Sequence, residues 1–91
     1  MMDPDRAKEV RRAVLDFLAV RHHLAYDPAS ILKRVRDSRV LDFEPTLEEV
    51  EGALSFLRSS GWTGSIPSKI GKDIFHQATS AGVLAHEQGY L

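Results

Sequence analysis

A mainly α-helical fold with one small β-hairpin, in the order α-β-α-α-β-β-α, is what this sequence predicts. Three observations carry that prediction. Between Thr46 and Trp62, the residues Leu47, Val50, Leu54 and Leu57 fall at i, i+3, i+7 and i+10, which places them on one face of a helix. Asp3-Pro4 and Asp27-Pro28 open two further segments with the same device, an aspartate able to cap and a proline suited to the first helical position. After Gly61 the helical period gives way to two strand-like runs around the turn-forming stretch PSKIGK.

The first helix runs from about Pro4 to about His22. Ala7, Val10, Val14 and Phe17 or Leu18 form its apolar stripe. Asp5, Arg6, Lys8, Glu9, Arg12 and Asp16 give it a solvated side of mixed charge. Leu24-Ala25-Tyr26 reads as a short extended piece. The second helix buries Ile31, Leu32 and Val35 and turns Lys33, Arg34, Arg36 and Arg39 outward. In the loop that follows, Val40, Leu41 and Phe43 point inward. The third helix starts with Thr46-x-x-Glu49, the pattern of a capping box. Ala53 flanks its stripe and lets a neighbouring helix approach. Ser59-Ser60-Gly61 end it, with Gly61 in the left-handed conformation. Trp62 to Ile66 and Asp73 to Ala78 are the two strands, with Trp62 plugging the core where hairpin meets helices. Thr79 or Ser80 caps a last helix that ends near Gly89.

A chain of 91 residues is read as one domain, 1–91, with its core between 4 and 88. The apolar fraction of 43% and charged fraction of 27% are those of a soluble globular protein. The absence of cysteine excludes a disulfide framework and thiolate zinc sites, and fits a cytoplasmic location. No apolar run approaches the ~20 residues that span a bilayer, and the first residues, MMDPDRAKEV, lack an apolar signal core. A formal charge of -1 gives no overall attraction to nucleic acid or anionic lipid.

Two pieces of the run from Ser30 to Glu87 carry a resemblance. One is the helix ending Ala53-Leu54-x-x-Leu57-x-x-x-Gly61-Trp62; the other is Phe75-His76-Gln77-Ala78-Thr79-x-x-Gly82. In that order and spacing they resemble the recognition helix and wing of winged helix-turn-helix domains, broadly of the MarR-like or ArsR-like kind. The chain is also similar to small winged-helix proteins of Mu-like phages, which implies a phage or prophage source. The resemblance implies a DNA-binding transcriptional regulator, dimeric through its terminal helices 4–22 and 79–89. Phosphate contacts are then expected from Lys33, Arg34, Arg36, Arg39, Lys69 and Lys72, and base contacts from Ser55, Arg58 and Ser59.

The charges complicate that expectation. Residues 41 to 60 carry five acids and one base. Glu48, Glu49 and Glu51 on the third helix would face a polyanion with one negative charge per ~1.7 Å of axis. The alternative is therefore an interaction module without DNA binding, offering these glutamates to a basic protein partner. Neither reading calls for an enzyme. His22 and His23 are adjacent and diverge on a helix, and His76 and His86 lack further ligands at zinc spacing, so no metal or cofactor is expected. Ser59-Ser60-Gly61 is not a strand-turn-helix nucleophile and has no identifiable base.

Overall fold

The computed structural model describes residues 4–71 and 73–89; the cap expected at Asp3 and the wing cation Lys72 lie outside them. The elements are α1 (Pro4–Val20), α2 (Pro28–Ser38), α3 (Leu47–Ser59), β1 (Thr63–Pro67), β2 (Ile74–Ala78) and α4 (Ser80–Gln88). β1 and β2 pair antiparallel, from Thr63 opposite Ala78 to Pro67 opposite Ile74. Tyr26 adds a single bridge to the outer edge of β2 by exchanging two backbone hydrogen bonds with His76, 2.9 and 2.8 Å. The short extended piece expected there thus reduces to one residue, because Pro28 already starts α2.

The helix termini follow from local chemistry. Asp27 accepts from the Ser30 amide at 3.2 Å and from the Ser30 hydroxyl at 2.6 Å, which caps α2. Thr46 and Glu49 form the complete capping box of α3, with the reciprocal bonds at 3.1 and 3.0 Å. Past its end, Gly61 has φ +78°. Trp62 donates its amide to the Leu57 carbonyl and Gly61 donates to Arg58, the pattern of a Schellman turn.

The core is the space between α1, α2 and α3. Val10, Val14 and Leu18 meet Ile31, Val35, Val50, Ala53, Leu54 and Leu57 there, closed by Ala78. α1 is buried more widely than one stripe predicts: Ala13, Leu15 and Ala19 are covered as well. The reason is that α1 is sandwiched, with α3 packed on one side and α4 on another. Two expected core positions are exposed, and several others, Leu41 and Trp62 among them, are only partly buried where they pack against the core. Leu47 is 41% exposed and Val40 60% exposed, while Leu32 and Phe43 are half-buried. Leu47 stands in the first turn of α3, at the mouth of a groove it shares with the N-terminus of α2, and Val40 follows the helix end at Arg39, whose φ of 57° turns the chain away.

The start of α4 lies close against the backbone that leads into β1. Thr79 donates its amide to the Trp62 carbonyl at 3.0 Å and its hydroxyl to the Gly61 carbonyl at 2.7 Å, and accepts from the Gly82 amide. A Cβ on Gly82 would lie 2.0 Å from the Trp62 carbonyl oxygen. Glycine at that position is what lets α4 dock against the entrance of β1.

Candidate functional site

The residues expected to meet DNA fall into separate places. On α2, Lys33 and Arg34 are exposed and line a groove between α2 and α1. Arg21, just past the end of α1, lines the same groove. Its guanidinium lies 4.6 Å from the Phe17 ring centroid. Arg21 extends the basic row, and sequence reasoning missed it because only the fold brings it beside α2. Arg36 is exposed and lies 3.7 Å from the exposed Asp37 carboxylate, a pair worth little in water. Arg39 is exposed past the helix end, and Lys69 is exposed in the loop joining the strands.

Ser55, Arg58 and Ser59 come together in a second groove, bounded by α3, β2 and the N-terminus of α2. They share it with Asp27, Glu51 and Asp73, so among the described residues Arg58 faces three acids as the one lining arginine or lysine. The Ser30 hydroxyl holds the Asp27 carboxyl below its ordinary value, so that group is anionic at neutral pH. His76 also lines this groove. Burial, and secondarily the charge of Arg58, lowers its affinity for a proton, and its Nδ1 has no hydrogen-bond partner among the described residues.

Glu49 is a correction to the expected acidic surface. Glu48 and Glu51 are exposed, but Glu49 is only 8% exposed. Arg6 on α1 donates to its two carboxylate oxygens at 2.5 and 2.9 Å. The same guanidinium donates to the Glu44 carbonyl at 3.1 Å and lies 4.1 Å from the Phe43 ring centroid. As the third residue of α3, Glu49 must fold back to its cap, which turns it toward α1 rather than toward a partner.

Arg6 holds the Glu49 carboxyl down to about 2 from an ordinary 4.5. Because the folded-state value is the lower one, the stabilisation is full above the ordinary value and lost as pH falls toward the lower one. Glu49→Gln is expected to cost on the order of 1.5–3 kcal/mol near neutral pH, the range for hydrogen bonds to charged groups. Urea unfolding across that acid range checks this: the gap between parent and variant should narrow as the carboxyl protonates.

Among the described residues no cluster of His, Asp or Glu could hold a metal, and no helix is long and apolar enough to cross a membrane.

The arrangement of four helices and a hairpin has a solved counterpart. A transcriptional regulator from Clostridium thermocellum superposes with a TM-score of 0.78 over 99% of this chain and 85% of its own length, at 15% sequence identity. The fold is a winged helix-turn-helix. In it, α2 and α3 are the helix-turn-helix pair and the β1–β2 hairpin is the wing. No protein-family model matches the chain, and no curated protein does.

Proposed function

We propose that this chain is a DNA-binding transcriptional regulator of the MarR-like or ArsR-like kind, acting in the cytoplasm as a homodimer and without enzymatic activity. The observation that carries this reading is the exposed row of cations on the helix-turn-helix pair: Lys33, Arg34, Arg36 and Arg39, extended by Arg21 and by Lys69 on the wing. Lysines and arginines so placed neutralise phosphates and release counterions, which supplies most of the affinity of such modules for duplex DNA. Lys72, outside the described residues, is expected from the sequence to add a further phosphate contact. Ser55, Arg58 and Ser59 are the base readers, with Arg58 suited to guanine. α1 and α4 form the dimer contact; Leu84, half exposed on α4, suits that role. If the sequence resemblance to Mu-like phage proteins reflects its source, phage or prophage DNA is the first target to try. A fluorescence titration against labelled genomic fragments should show binding that weakens steeply between low and moderate salt. Salt-independent binding, or none, would refute the reading.

A second reading is favoured by the acids around Arg58. Here the chain is an interaction module that binds no nucleic acid, and Glu48 and Glu51 face a basic protein partner. Glu48→Gln with Glu51→Gln separates the two: DNA affinity rises under the first reading, and partner capture is lost under the second.

A further inference from the structure

We propose that the groove between β2 and α3 receives an extended, basic segment of a partner protein, which adds to the outer edge of β2 at Ile74. This rests on the second reading above and states where and how the partner sits. The first support is the strand edge. His76 spends both its backbone groups on Tyr26, so they point away from β1. Strand alternation directs the amide and carbonyl of Ile74 to that same side, two residues on. Asp73, one residue before Ile74 and so in the opposite phase, turns its backbone toward β1 instead, its carbonyl accepting from the Ser68 amide at 3.0 Å. At Asp27-Pro28 the chain leaves this edge to enter α2, and the edge at Ile74 borders a cavity of about 700 Å³.

The second support is the lining. Pro28, Ala29 and Leu54 give the groove apolar walls, and Leu47 and Ile74, 41% and 48% exposed, stand at its mouth. An added strand sends alternate side chains inward and outward, so one apolar side chain of the segment would enter while its neighbours stay in solvent. The third support is charge. Asp27, Glu51 and Asp73 outnumber Arg58 around the groove, which favours lysine or arginine on the outward positions and opposes DNA. A second copy of this chain is not the occupant, because its own basic stretch, 33–36, is helical in α2.

The test is an amide NMR titration of the 15N-labelled full chain with a synthetic peptide alternating arginine and valine. Controls are a peptide alternating arginine and serine, and a DNA duplex. Shifts are expected at Ile74, His76, Glu51 and Arg58, with the serine peptide about tenfold weaker for want of an apolar anchor. Ile74→Pro removes the outward amide and leaves the β1–β2 ladder intact; it should weaken the valine peptide about tenfold. Glu51→Gln with Asp73→Asn should do the same without touching the backbone. If shifts stay on Glu48 and the outer side of Glu51, and both variants bind as the parent does, the acidic-surface reading stands and strand addition is overturned. If neither peptide binds, both fall. If the duplex displaces the valine peptide from these residues, the groove belongs to nucleic acid and the proposal is overturned.

Discussion

Gly82→Ala should destabilise the protein by about 3 kcal/mol or more, and lower its melting midpoint by more than ~12 °C. In most helices the same change is stabilising, by up to ~1 kcal/mol, because alanine is the better helix former. The sign reverses here because the new methyl carbon would lie 2.0 Å from the Trp62 carbonyl oxygen, and that oxygen belongs to backbone. It cannot swing aside as a side chain would. To make room, α4 must lift from the start of β1, which breaks the Thr79 amide bond to Trp62 and the Thr79 hydroxyl bond to Gly61. Gly52 is the internal control: it is exposed on α3 and nothing lies within 4 Å of the Cβ position. Gly52→Ala should raise the midpoint in the same circular-dichroism melt. Equal effects at the two glycines would refute the close approach of α4.

Truncation of the α3 stripe comes next in size. Leu57 is fully enclosed, and Leu57→Ala should cost toward the upper end of the ~2–5 kcal/mol range for buried leucines. Leu54 is also buried but borders the groove beside β2, so solvent and neighbours can fill the space it leaves. Leu54→Ala should therefore fall in the lower half of that range. Urea unfolding of the two variants measures the difference. A domain of this size has on the order of 5–10 kcal/mol in all, so Leu57→Ala should leave it marginal at physiological temperature.

Local signals were legible in the sequence and long-range ones were not. The capping box of Thr46 and Glu49, the Asp27-Pro28 start and the left-handed Gly61 need only neighbours a few residues apart, and the period of α3 needs only itself. Glu49 illustrates the limit. Its place in the cap is local, but its burial depends on Arg6, 43 residues away. Arg21 joins Lys33 and Arg34 only through the packing of α1 on α2. The second buried side of α1, Ala13 and Leu15, reflects the docking of α4, which no feature of α1 announces. Thr79-x-x-Gly82 was visible as a pattern, but the carbonyl of Trp62 is what requires the glycine. The face of β2 was ambiguous in the alternation. The hairpin decides it by leaving the body of the fold, so Ala78 is buried at its base while Ile74 is exposed toward its tip.

The acids beside α3 shift the burden of any duplex contact to α2 and the wing. Replacing Lys33, Arg34 and Arg36 together by glutamine tests this most directly. All three are exposed, so the variant should melt within about 0.5 kcal/mol of the parent. Its DNA affinity should fall evenly across sequences, and the slope of log affinity against log salt should flatten by about 3, one for each phosphate no longer neutralised. A variant that binds duplex with the parent's affinity and slope would contradict the assignment of α2 as the phosphate-binding element.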